Sequence, residues 1–293
     1  MKKLVVLLLI IFNAPGVFAE IKIGIKGAVE WDTFQITASV SLDLASADIR
    51  IPSGRTKGES LLSSGYLRLI QGGILELQVD SSSTIGDLID RGEFSLLEAE
   101  ALARNASSVP PALSPDLRSI SASYTMGLSG VSSVLLRHNR PYPVMRTLTP
   151  VSTAQYTGII IIASENLPVH GKKNSAMPVP CLFPKIWDTE MNLVYERTML
   201  ETNISSMVHY SPLQSIFQRS PSGLTEDLTA RVGERPLRIF ARGVFGITPT
   251  DLIIDHDDAL LIISSQENRR LLTEGKVVII LNDSVLRNEF YSE

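Results

Sequence analysis

The sequence predicts an α+β protein of two small domains, each a mainly antiparallel sheet with helices packed on one face. Three observations carry that prediction. Stretches of β-formers alternate with Ala- and Leu-rich stretches of helical spacing in both halves, as at 30–44 and 95–106. A Pro-rich segment, PYPVMRTLTP (141–150), interrupts both periodicities near the middle. With 293 residues, 44% of them hydrophobic, either side can bury a core of its own. The expected organisation is a leader (1–19), a first α+β domain (20–140), the Pro-rich linker (141–150), a second α+β domain (151–285) and a tail (286–293).

The leader has three parts. Lys2 and Lys3 are a basic start, Leu4 to Phe12 an apolar core, and Val17-Phe18-Ala19 a small-residue cleavage pattern behind Asn13, Pro15 and Gly16. This is the pattern of a secretory signal peptide cleaved after Ala19, and the apolar run is too short for a permanent anchor. The expected location is the periplasm. No lipid anchor is expected, because position 20 is Glu and not Cys. Loss of Lys2 and Lys3 takes the formal net charge from −4 to about −6. With no basic run left, nucleic acid is excluded as a partner, since phosphate contacts dominate such binding. No later apolar stretch of about 18 residues reads as a membrane span. Cys181 is the only cysteine, so no internal disulfide forms, and its apolar setting PVPCLFPKIW predicts a buried, unreactive thiol.

The elements follow in order. EWDTFQITASVSLDL (30–44) alternates and reads as a strand or hairpin. Residues 54–77 place Leu61, Leu62, Tyr66, Leu69, Ile70 and Leu77 at helical spacing, and Gly72-Gly73 should weaken the end. DSSSTIGDLIDRGE (80–93) offers N-caps before a short helix stopped at Gly92, and 95–106 is a second helix. Residues 119–138 read as a long strand or hairpin. Beyond the linker, YTGIIIIAS (156–164) suits a strand buried on both faces. Residues 183–197 read as strand, turn, strand, with the turn near Asp188 to Asn192. A short helix closed by Gly233, a strand over 236–247 and a central strand over Lys276 to Leu281 complete the half.

The most polar spot is TPTDLIIDHDDALLIIS (248–264), with Asp251, Asp255, Asp257 and Asp258 around His256. A calcium loop of the EF-hand type fails, since Leu260 stands where its Gly belongs. The structural reading makes Asp255 an N-cap, with Asp258 as the acid of a capping box and the acids of the first turn complementing the helix dipole. A metal cluster and a polar loop between two strands are the alternatives. His138, His170, His209 and His256 show no i, i+4 pair of the zinc-helix kind. GLSGV (127–131) lacks the outer spacing of a nucleophile elbow, GIKGAV (24–29) is not a dinucleotide loop, and Glu98 with Glu100 reads as a solvated helix face. The Asn-x-Ser sequons at Asn105, Asn203 and Asn282 matter only in a host that glycosylates. No catalytic, cofactor-binding or metal-ligating residue is therefore assigned.

The segments YTGIIIIASENL (156–167), FPKIWDTEMNLVYE (183–196), ERPLRIFARGVFGITPTDLIIDHDDA (234–259) and KVVIIL (276–281) resemble the C-terminal half of exported bacterial FlgP-like proteins. GRTKGESLLSSGYLRLIQGGILELQVDSSSTIGDLI (54–89) is similar to their first half. The resemblance implies a non-enzymatic component of the cell envelope with protein partners, among them components of the bacterial flagellum's motor. It is compatible with a homo-oligomer and with peripheral association with the outer membrane. It also favours a helix after Asp255. Two departures stand out: such relatives are commonly lipidated and this chain lacks the lipobox cysteine, and where they often carry Asp after the apolar strand and Gly in the 188–192 turn it has Ile162 and Asn192. Asn tolerates the left-handed conformation such a turn needs. The expected function is a structural or assembly protein acting by protein–protein packing, with GIIIIAS and VVIIL as candidate edges for pairing between subunits. The alternatives are a periplasmic hydrolase or metal-dependent enzyme, and a soluble adaptor that binds cell-wall or outer-membrane components.

Overall fold

The computed structural model describes residues 23–290. The expected leader and its cleavage site after Ala19 lie outside the described residues. The first half runs β1 (Ile23–Glu30), β2 (Gln35–Asp43), α1 (Arg55–Leu75), β3 (Gln78–Asp80), β4 (Ser83–Thr84), α2 (Ile85–Asp90), α3 (Leu96–Arg104), β5 (Ser107–Ser108), β6 (Ala112–Leu113), β7 (Ser119–Gly127) and α4 (Ser129–Leu135). The second runs β8 (Ile159–Ile162), β9 (Leu167–Pro168), β10 (Ser175–Ala176), β11 (Ile186–Asp188), β12 (Leu193–Tyr195), β13 (His209–Pro212), α5 (Glu226–Val232), β14 (Leu237–Phe245), β15 (Asp251–Ile254), α6 (His256–Ile263), α7 (Gln266–Thr273), β16 (Val277–Leu281), α8 (Asp283–Leu286) and β17 (Arg287–Phe290). The fold is α+β in two parts. Among the described residues no helix is long and apolar enough to cross a membrane.

The first sheet is antiparallel throughout, in the order β17-β1-β2-β7-β5, with β6 also on β7. Period-2 alternation sends Ile36, Ala38, Val40 and Leu42 of β2, and Ile120, Ala122, Tyr124 and Met126 of β7, to one face. Helix α1 covers that face with Leu62, Leu69, Ile70 and Ile74, and Tyr66 stacks on Tyr124 with ring centroids 3.7 Å apart. Helices α2 and α3 start on capping boxes, Thr84 with Asp87 and Ser95 with Glu98. Glu98 is thus a cap and not only a solvated acid, while Glu100 pairs with Arg104 one turn on. The single strand or hairpin expected over 119–138 divides at Leu128, whose N–H donates to the Phe34 carbonyl at 2.9 Å. Leu128, Val131 and Leu135, spaced by three and four, turn the chain into α4.

The second sheet departs from the expected antiparallel pattern. Its order is β12-β11-β15-β14-β8-β16-β13. β8 pairs in parallel with β14 and β16, β16 with β13, and β11 with β15; only β11–β12 and β14–β15 are antiparallel. Parallel neighbours need crossovers, and helices supply several of them. They lie on both faces, not one. Ile160, Val278 and Ile280 pack with Leu228 and Val232 of α5. Ile159, Ile161, Val277 and Ile279 face the opposite way, into the core that holds Ile262 of α6 and Leu271 of α7. Two-sided burial is what the unbroken apolar runs of β8 and β16 express. It also removes them as subunit edges: each lies between two neighbours in the sheet.

The two halves share one continuous core, in which the Trp31 ring meets Tyr210 edge-on at 5.8 Å. Backbone bonds cross the seam from Leu182 N to Gln78 O, Phe183 N to Val79 O and Thr248 N to Ser81 O. Within the expected tail (286–293), Arg287–Phe290 form β17, paired with β1 from Gly27↔Phe290 to Glu30↔Arg287. The Phe290 ring fills a slot between Gly27 and Gly73, where a Cβ on either glycine would overlap it. That fit gives Gly73 its place in a helix that runs on to Leu75.

The Pro-rich segment has neither helix nor strand, and the chain just after it is pinned down. Buried Asn268 of α7 accepts from Tyr156 N at 3.1 Å and donates to Ala154 O at 2.9 Å and Leu261 O at 3.0 Å. Replacement by Ala leaves those groups unpaired. Asn268→Ala is expected to lower the unfolding free energy by about 1–3 kcal/mol in urea titration, and to raise backbone exchange across 151–157.

Candidate functional site: an aspartate–histidine pair between a turn and a helix start

Helix α6 begins as its sequence predicts. Asp255 is extended at φ −62, ψ 144, and its carboxylate accepts from Asp257 N at 3.1 Å. The cap bond runs to Asp257 and not to the Asp258 position of a capping box. Asp257 and Asp258 occupy the first turn, and Asp255 also pairs with Arg242 at 3.5 Å. Burial, then the neighbouring Asp255, raises the Asp258 pKa.

Asp188 ends β11 at the start of the 188–192 turn and is 1% exposed. One carboxylate oxygen accepts from Glu190 N at 3.0 Å and Asn192 N at 2.8 Å; the other accepts from Asn192 Nδ2 at 2.9 Å. The left-handed residue of this turn is Met191, at φ 62. Asn192 therefore does not supply the left-handed conformation expected of it. It supplies donors to Asp188 instead.

The parallel register sets Asp188 beside Ile254, the residue before the α6 cap. His256 Nδ1 thus lies 2.8 Å from Asp188 Oδ2 and 3.7 Å from Glu190 Oε2, while His256 N donates to Thr189 Oγ1 at 3.2 Å. Burial pushes the Asp188 carboxyl up, but bonds from Asn192, His256 and the turn backbone outweigh it and hold its pKa below the usual value. The hydrogen bond to Asp188 raises the His256 pKa, with Glu190 adding to it. The pair is a buried carboxylate that orients an imidazole and raises its pKa.

Asp188, Glu190 and His256 offer ligand atoms within 4.8 Å of one another. One imidazole and two carboxylates suit a divalent ion such as zinc or manganese by type. The donors on Asp188 argue against the fit: both its oxygens already accept bonds, and an ion at Nδ1 would have to displace the bond to His256. Asp255 and Asp257, which flank His256 in sequence, and Asp258 are not among the three.

The other histidines lie elsewhere. His138 bonds the Leu200 carbonyl at 2.7 Å, His170 meets Phe245 edge-on at 5.8 Å, and His209, in β13, has its pKa lowered by burial and then by Arg231. Cys181 is buried as expected, and burial drives its thiol pKa far upward. A second buried acid, Asp251, joins the halves. It accepts from Lys185 N at 3.1 Å, Trp187 Nε1 at 3.4 Å and, across the seam, Ser81 Oγ at 3.3 Å. Burial raises its pKa despite these donors.

Sequence reasoning found His256 and its turn but not Asp188 as its partner. The available signal was Asp-x-x-x-Asn across a turn at the end of a strand, since Asx side chains there bond the backbone two to four residues on.

A raised histidine pKa contributes stability that is complete below the unfolded value, about 6.5, and is lost as pH rises through the folded value. Gln keeps a neutral donor. The stability gap between wild type and His256→Gln is therefore expected to be widest near about pH 5–6 and to shrink toward about pH 9, by urea titration across pH. Protein incubated with zinc or manganese and desalted is expected to retain less than one ion per chain. Stoichiometric metal lost in Asp188→Asn would contradict this reading.

Two comparisons bear on these halves. Residues 22–134 match the family model described as the N-terminal domain of Treponema pallidum Tp0624. Residues 158–283 match the one described as the second domain of the same protein. The two matches stand in the same order as those domains and leave the Pro-rich segment between them. No curated protein matches the chain at a significant level.

Proposed function

We propose that the protein is a non-catalytic, exported component of the bacterial cell envelope that works by packing against other proteins. The observation that carries this reading is the outer side of β14. Arg238, Phe240 and Arg242 alternate along it with buried neighbours, and Phe240 is 63% exposed although its strand lies inside a seven-stranded sheet. Phe240 sits opposite half-buried Ile162 of β8. Arg238 is steadied by the Ser222 carbonyl at 2.8 Å and Arg242 by Asp255. An aromatic ring between two held guanidinium groups has the composition of a protein-binding hot spot. The buried acids support the same reading from the other side, since Asp188 and Asp251 take their hydrogen bonds from the fold's own donors.

Placement at the flagellar motor rests on the resemblance of 156–281 to FlgP-like proteins. With both edges of β8 and β16 paired within the sheet, these two runs are not free to pair between subunits, and the packing is assigned to the β14 surface.

Phe240→Ser removes the exposed ring and little else. Its unfolding free energy is expected to stay within about 0.5 kcal/mol of wild type. Recovery of envelope proteins with a tagged chain is expected to fall about tenfold, the loss of one hot-spot side chain. If the wild-type protein purifies alone from native envelopes, or if the variant recovers the same proteins, the reading is wrong. Normal motility of a deletion strain would remove the motor placement while leaving the packing role.

A further inference from the structure

We infer that the Pro-rich strap between the halves is a docking surface for an anionic phospholipid membrane, with Arg140 and Arg146 meeting headgroup phosphates and Leu148 entering the lipid. The chain as a whole is acidic, with 31 Asp and Glu against 27 Lys and Arg, yet between Asp116 and Glu165 it has no acid and four arginines. Two of these are neutralised: Arg118 pairs with Asp116 and Arg137 with Glu98. The other two, Arg140 and Arg146, have no ion pair among the described residues.

The strap is held in place from both ends. Tyr142 N donates to Thr198 O at 2.7 Å, Val144 is buried, and Val151 N donates to Ser264 Oγ at 3.0 Å. Between these anchors Leu148 stands at a bend, where Thr149 N donates to Thr147 Oγ1 at 3.1 Å. Leu148 is 100% exposed and Tyr142 68%. A single exposed leucine is ordinary. One at a pinned bend, two residues from an unpaired arginine, has the make-up of a membrane contact. Its aliphatic tip enters the acyl boundary while the guanidinium reaches phosphate. Tyr142 suits the headgroup level, where a ring with one polar end is favoured. Arg269 of α7 adds to the charge: burial, then Arg146, lowers its pKa against the opposing effect of Glu267. Glu196, beside the Thr198 anchor, takes a bond from Thr198 Oγ1 at 2.6 Å and pairs with neither strap arginine. The strap is tied to α6 and α7, whereas Phe240 lies on the α5 face of the same sheet. Membrane and protein partners thus meet opposite faces, and this inference does not depend on the packing role.

The full chain carrying Leu148→Trp is titrated with vesicles of phosphatidylcholine alone and with vesicles containing about one-third phosphatidylglycerol. The introduced indole reports the bend directly, once the wild-type signal of Trp31 and Trp187 is subtracted. With the anionic vesicles its emission is expected to move to shorter wavelength and to be quenched by lipid brominated on the acyl chains. Phosphatidylcholine alone should do neither, and added salt should reverse both changes. In the same background, Arg140→Gln/Arg146→Gln breaks no ion pair of the fold, so Tm should stay unchanged. It should raise the lipid concentration at half-change about thirtyfold, the loss of two surface cations. An indole left unquenched by the anionic vesicles, or a double variant that responds as its parent does, would overturn the inference. An equal shift with soluble polyglutamate would assign the strap to an acidic protein partner and overturn the membrane as its occupant.

Discussion

A carboxylate removed from water must be given donors, and in this protein that constraint decides where separate segments meet. Asp251 draws together the turn after β3, the start of β11 and its own strand. Asp188 closes the turn that follows β11 and ties it to the start of α6. Asn268, uncharged, does the same for the chain leaving the Pro-rich segment. Apolar burial supplies most of the driving force, but it is indifferent to small slips of one surface over another. The buried polar groups are not: each is satisfied in one arrangement only. They fix the relation of the halves, the turn and the linker, while the shared apolar core around Trp31 and Tyr210 supplies cohesion.

Much of this was legible locally. The cap at Asp255, the N-cap run before α2, the stops at Gly92 and Gly233 and the alternation of β2 are contained within a few residues, and the chain carries them out, whereas the equally local box of Ser95 with Glu98 was read only as a solvated face. Pairing direction was not legible. A strand buried on both faces has the same composition whether its neighbours run with it or against it, so the parallel partners of β8 could not be read from IIII. The short strands β9, β10 and β13 have too few residues to show a period at all.

The candidate site divides in the same way. The acids around His256 read correctly as a helix start, because capping is a local matter. The partner that raises its pKa lies 68 residues earlier and is brought close by the β11–β15 register. Glycine carried a similar ambiguity. Gly72-Gly73 looked like a weak helix end, yet Gly73 is there because a ring from 217 residues further along the chain needs the room. Such long-range reasons leave no trace in a window of neighbours.

The return of β17 to β1 has a consequence for how the molecule is made. Synthesis proceeds from the N-terminus, so the strands β1, β2 and β7 emerge together with their covering helix. Their sheet nonetheless lacks its edge strand β17 until Arg287–Phe290 have left the ribosome. Until then the hollow between Gly27 and Gly73 stands vacant, and β1 presents an unpaired margin to its surroundings. Completion of the first half therefore waits for the second, and a chain ending before Arg287 would leave the oldest part of the protein unfinished.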